Sequence, residues 1–209
     1  MARAQILAEQ FDDLEQQQET ATVGIWTFLA TEVIFFGGLF LAYIVYRTAY
    51  PQAFTEGSHH SNLLLGTVNT ALLLTSSLTM ALSVHAAQEG NRQRLMLFLF
   101  VTLLFGLAFL GVKGLEYSEH ISERLFPGAQ FKSGLPHGTQ MFFVLYFLMT
   151  ALHALHLIIG CGVIAVMLWL ARNSAFSSHY YNPIEVSGLY WHFVDVVWVF
   201  LYPMFYLIK

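Results

Sequence analysis

The residues of this chain with chemistry to offer are ionisable groups set inside apolar sequence. Glu32 stands in the middle of Phe28-Leu-Ala-Thr-Glu-Val-Ile-Phe-Phe36, flanked by apolar neighbours. An ionisable group within a membrane span is expensive, so it marks function by default. Two roles suit it: a proton carrier or regulatory carboxyl, or a carboxyl hydrogen-bonded to a neighbouring helix. His153 and His156 are three apart within another apolar segment. Two imidazoles on one helical face could hold a metal, given further donors. His85, His192, Glu32 and Asp195 are available, but none forms a recognised ligand signature with the pair. Interhelical hydrogen bonds are therefore the expectation. In Tyr190-Trp-His-Phe-Val-Asp-Val-Val-Trp-Val-Phe200, His192 and Asp195 share a face, and Glu185 lies two turns before His192. This group serves either a proton route or a locked polar contact, and no continuous relay across the span is visible. Lys113 and Glu116 have the spacing of a helical ion pair. They fall near a segment end, where snorkelling would relieve the cost. No catalytic residue and no metal site is assigned.

Five apolar segments must position these groups. Hydrophobic residues make up 56% of the 209 positions and charged residues only 11%, against about 25% charged in soluble domains. This excludes disorder, which needs low hydrophobicity and high charge, and argues against a water-soluble globule. The formal charge of −4 and nine scattered basic residues argue against a nucleic-acid face. The single cysteine, Cys161, excludes an intramolecular disulfide framework. Crossing a bilayer takes about 20 apolar helical residues, and five stretches qualify, at about 23–46, 61–88, 95–116, 136–170 and 183–208. The fold class is therefore all-α: a five-helix transmembrane domain over 23–209, after a polar N-terminal tail over 1–22. Ser61 is the expected cap of the second span, and Pro136 the expected first-turn proline of the fourth. Asn182-Pro183-Ile184-Glu185 reads as a capping-box variant. Pro203 should kink the last helix.

Leu7, Phe11 and Leu14 share a face, so the tail is either a short surface helix or a solvated segment. No signal peptide is expected, because the basic start and apolar core are missing. Basic residues divide evenly between the two sides, with Arg3, Arg92, Arg94 and Arg172 against Arg47, Arg124, Lys132 and Lys209, so charge alone leaves the orientation open. Gly37, Gly38, Gly106, Gly111, Gly114, Gly160 and Gly162 would allow close helix approach.

Three motifs resemble subunit III of haem–copper respiratory oxidases, the cytochrome c and quinol oxidases, in its short five-helix bacterial form. The strongest is Tyr190-Trp-His-Phe-Val-Asp-Val-Val-Trp-Val-Phe-Leu. The second is Thr150-Ala-Leu-His-Ala-Leu-His-Leu-Ile-Ile-Gly160, against the family pattern T-G-x-H-x-x-H-V-x-x-G, with Ala151 in place of a usual glycine. The third is Glu32-Val-Ile-Phe-Phe, around the family's buried glutamate. Asn69-Thr70, Glu116-Tyr117 and Glu185 also fall where family members carry them. The resemblance covers residues 23–208. Longer family members have two further spans that form one arm of a lipid-filled cleft. This chain begins at the equivalent of their third, so such a cleft would be incomplete unless another subunit supplies the missing wall.

The resemblance implies a non-redox membrane subunit of a proton-pumping terminal oxidase in aerobic respiration. Haem and copper would lie in subunits I and II, and this chain would bind no cofactor other than phospholipid. Its partners would be subunits I and II and a small subunit IV. It would support proton uptake and protect the catalytic core from turnover inactivation. The implied location is the bacterial inner membrane, multi-pass, with the N-terminus cytoplasmic and the C-terminus periplasmic. Glu32 is then the candidate modulator of proton or oxygen delivery. His153, His156, Glu185, His192 and Asp195 form a structural polar network. Lys113 and Glu116 are a candidate ion pair. Two other readings remain open: the accessory subunit of a nitric-oxide reductase, and an independent proton-coupled carrier built on Glu32 and Asp195. No broken-helix pair or inverted repeat supports the carrier.

Overall fold

A computed structural model describes residues 10–128, 131–132, 134–136, 138–178 and 180–208. Arg3, Leu7 and Lys209 lie outside the described residues. Among the described residues six helices follow in order: α1 (Leu14–Ala49), α2 (Pro51–His59), α3 (Leu63–Gln88), α4 (Arg92–Ser122), α5 (Thr139–Arg172) and α6 (Asn182–Tyr206). All except α2 are long and apolar enough to cross a membrane. At 1.5 Å per residue, the 36 residues of α1 and the 34 of α5 each run roughly 50 Å, well past a bilayer core of about 30 Å.

Helices α3, α4, α5 and α6 form a four-membered bundle in which each packs on two neighbours, and α1 lies outside it against α5 and α6. The nine-residue α2 is a feature the sequence did not announce. It buries Ala53, Phe54, Gly57 and Ser58 across one end of the bundle, against α1, α5 and α6. Gly57 is required there, because a Cβ would stand 2.4 Å from the Phe142 ring. The Ser58 hydroxyl donates to the Phe205 carbonyl at 3.1 Å, and the Tyr43 hydroxyl donates to the Met204 carbonyl. Side chains of α1 and α2 thus satisfy two carbonyls of the last α6 turn that the helix itself cannot.

The helix starts differ from the sequence expectation in three places. Asn62, not Ser61, caps α3, its side-chain oxygen accepting from the N–H groups of Leu64 and Leu65 at 3.1 and 3.3 Å. Helix α5 begins after Gly138, whose φ of +98° suits glycine, and Pro136 sits in the turn before it. Tyr181 takes the N-cap of α6 without a side-chain bond, so the capping box is not formed and Glu185 is exposed in the first turn. Replacing Asn62 by alanine is expected to cost about 1 kcal/mol, read as a lowered unfolding midpoint of the purified protein. Ser61→Ala, which leaves the cap intact, serves as the control. At the N-terminus, Asp13 caps α1 by accepting from the Gln16 N–H at 2.8 Å, so residues 14–22 continue the first span.

Of the glycines expected at helix contacts, Gly106 and Gly160 serve that purpose, both against the Trp191 ring. Gly37, Gly38, Gly111, Gly114 and Gly162 face open space instead.

Candidate functional site: polar contacts inside the bundle

The i,i+3 spacing of Lys113 and Glu116 places both on the α4 face that looks into the bundle. Lys113 does not snorkel. It is 3% exposed and Glu116 is 0% exposed, because α4 continues six residues beyond Glu116 and carries the pair inside. Lys113 Nζ donates to Glu116 Oε2 at 3.0 Å, to the Tyr146 hydroxyl at 3.0 Å and to the Tyr206 hydroxyl at 2.6 Å. Both phenols in turn donate to Glu116 Oε1, at 2.9 and 2.6 Å. Every ammonium N–H is used, and three donors meet the carboxylate. The rings of Tyr117, Tyr146, Trp198 and Tyr206 stand 4.7–5.6 Å from Nζ, adding cation–π attraction. This closed knot ties α4 to α5 and α6. The sequence showed the ion pair but not its tyrosines, which lie 30 and 90 residues from Glu116 and carry no local signal.

Glu32 meets His156. Oε2 lies 3.2 Å from Nε2, an ion-pair contact by distance without the alignment of a hydrogen bond. The other imidazole nitrogen, Nδ1, is 2.8 Å from the Leu152 carbonyl. A carbonyl only accepts, so Nδ1 carries a proton, and Nε2 is the nitrogen left to face the carboxyl. The Phe36 ring packs edge-on to this imidazole at 5.4 Å. Tyr190 donates to the His156 carbonyl at 2.9 Å. These contacts join α1, α5 and α6 around one carboxyl–imidazole pair.

The two histidines of α5 do not share a site. Helical spacing of three leaves them offset around the axis, and α5 sits between different neighbours on its two sides. His156 turns to α1. His153 turns to the interior, 1% exposed, with the Phe109 and Trp198 rings at 5.6 and 5.2 Å and no hydrogen-bond partner on either nitrogen. Among the described residues no three His, Cys, Asp or Glu side chains gather as metal ligands.

His192 and Asp195 likewise do not pair. His192 Nδ1 is 2.7 Å from the Ser77 hydroxyl of α3, while Asp195 is 4% exposed and neither carboxyl oxygen has hydrogen-bond geometry to a partner. Glu185, exposed at the start of α6, belongs to no internal network. The indoles of α6 make further polar contacts of this kind to α3. Trp191 and Trp198 are both buried, and their N–H groups donate to Ser76 and Thr70 of α3 at 2.9 and 3.0 Å.

Fold and contacts together define a polytopic helical membrane protein whose polar interior locks helix to helix. A family model described as cytochrome c oxidase subunit III matches residues 12–209. The chain is 32% identical over 185 residues to the cytochrome c oxidase subunit 3 of Alkalihalophilus pseudofirmus, covering 88% of this chain and 85% of that protein. It is 33% identical over 186 residues to the corresponding subunit of Synechocystis sp., covering 88% and 74%. It is 31% identical over 199 residues to the quinol oxidase subunit 3 of Bacillus spizizenii, covering 93% and 91%. The chain belongs to the cytochrome c oxidase subunit III family, which implies association with other oxidase subunits in a membrane.

Proposed function

We propose that this chain is the non-redox subunit III of a proton-pumping terminal oxidase that reduces O2 to water. On this reading it packs on subunit I, with subunit II and a small subunit IV completing the complex, and haem and copper are held by the partners. It sits in a bacterial inner membrane with the N-terminus cytoplasmic and the C-terminus periplasmic. The observation that carries the reading is the family match over residues 12–209. The interior supports it: polar side chains tie helices together, as a subunit that holds a neighbouring redox protein in shape requires. Glu32 with His156 is the group placed to influence proton or oxygen delivery. It is partly open to the surroundings, at 17% and 13% side-chain exposure, on the helix that stands outside the four-membered bundle.

A mild-detergent pull-down from native membranes, with mass spectrometry and an optical spectrum of the same sample, tests the assignment. Haem–copper subunits I and II with a reduced haem band are expected. A partner with non-haem iron would make the chain a nitric-oxide reductase accessory subunit, and a colourless chain that transports protons alone in liposomes would overturn both. For the site, Glu32→Ala is expected to leave the initial oxidase rate near normal while activity decays faster during turnover. His156→Phe, which removes the facing imidazole, should reproduce the decay. Unchanged inactivation kinetics in both assembled variants would remove Glu32 from that role.

A further inference from the structure

Near the end of the bundle that holds the α3–α4 and α5–α6 connections, the α4–α5 seam opens to the outside. The two helices meet closely at Gly106, where a Cβ would lie 3.0 Å from Cys161 Sγ. Between that contact and the helix ends lies a groove of about 510 Å³. Met96, Leu97, Phe100 and Leu103 form one wall. Ala165, Leu168 and Trp169 form the other, and Arg172 closes the end. Seven helical steps along each wall make it roughly 10 Å long. Leu97, Phe100 and Trp169 are more than half exposed, so the groove faces whatever surrounds the protein.

The charge at its end decides what fits. Arg94 is offset by Glu89 at 3.6 Å. Arg92 lies over the end of α5, donating from Nε to the Ala171 carbonyl at 2.9 Å and from Nη2 to the Arg172 carbonyl. Arg172 itself has no acidic partner within ion-pair distance among the described residues. The groove is thus an apolar slot running inward from Arg172, an arginine without a carboxylate partner, with the exposed Trp169 three residues before the end of α5. Basic pockets between spanning helices take anionic lipid headgroups. A partner's apolar helix would gain nothing from an unpaired guanidinium.

We propose that this groove binds one anionic glycerophospholipid, an acyl chain lying between α4 and α5 and the phosphate meeting Arg172. The site rests only on the membrane-spanning fold and not on which enzyme the chain serves. It lies on the α4–α5 seam, away from α1. The test is native mass spectrometry of the intact detergent-purified complex containing this chain, titrated with dioleoylphosphatidylglycerol and separately with dioleoylphosphatidylcholine. One tightly held phosphatidylglycerol is expected. Arg172→Gln should weaken it about fivefold and leave phosphatidylcholine unaffected, whereas Ala165→Trp, which fills the slot, should abolish the site for either lipid. Phosphatidylglycerol binding unchanged in Arg172→Gln would overturn the proposal. So would an Ala165→Trp complex that loses a partner subunit at unchanged lipid count, because the groove would then seat a partner helix. Should Ala165→Trp fail to assemble, Arg172→Gln, on an exposed side chain, decides alone.

Discussion

Lys113→Met is expected to destabilise the protein by about 3–5 kcal/mol, the penalty for removing one partner of a buried pair. The variant leaves Glu116 at 0% exposure, with two phenols still aimed at Oε1 but no cation at Oε2. The two phenols also lose the donor that each of them accepted from. Coulomb attraction inside the bundle is large, but the cost of taking both charges out of water is comparable, so the intact pair is a weak source of net stability. The asymmetry lies in breaking it. Lys113→Met combined with Glu116→Gln removes both charges and keeps an acceptor for the tyrosines, so most of the loss should return. A double-mutant cycle on unfolding of the purified complex, followed by tryptophan fluorescence, measures this directly, because Trp198 stands 5.1 Å from Nζ. Additive losses in the double variant would mean that the two side chains act independently and that the knot is not the unit described. Tyr206→Phe deletes one donor to Glu116 and one acceptor for Lys113, and should cost about 1–3 kcal/mol.

The contrast between the ion pair and its surroundings shows what the sequence carried. Five spans were legible because twenty apolar residues in a row have few other uses. Local pairing at a spacing of three was legible for Lys113 and Glu116. The same rule misled for His192 and Asp195, whose shared face says only that they point the same way, not that they touch. His192 finds Ser77 across the α3–α6 seam, a partner 115 residues away. His153 and His156 looked equivalent, and only the rotation of α5 among α1, α4 and α6 separates the one that meets Glu32 from the one enclosed by Phe109 and Trp198. The third span was expected to end at Glu116 because two charges resemble a water edge. Burial of those charges carries the helix on to Ser122. Helix α2 escaped notice because nine residues with four small or aromatic buried positions give too little periodicity. Its burial depends on an end of the bundle that only the fold assembles.

The seat of Trp191 gives the other large effect, with opposite signs in two backgrounds. Its ring is fully buried and lies over glycines of two helices. A Cβ at Gly106 would come within 2.7 Å of the ring, and one at Gly160 within 3.0 Å. Trp191→Ala should cost about 3–5 kcal/mol through lost burial and the cavity left behind, and it removes the indole N–H that donates to the Ser76 hydroxyl. Gly106→Leu in the native protein gains about 1 kcal/mol of helix propensity. It also drives a side chain into a ring held in place by its contact with Gly160 and its bond to Ser76. Overpacking of this kind costs about 1–3 kcal/mol, so the net change is expected to be a loss. In the Trp191→Ala background the same leucine enters the vacated space, keeps its propensity gain and should restore part of the stability. Unfolding midpoints of the four proteins decide the matter. A Gly106→Leu effect of the same sign in both backgrounds would mean that Trp191 does not rest on Gly106, and the seating of its ring against α4 would then need another cause.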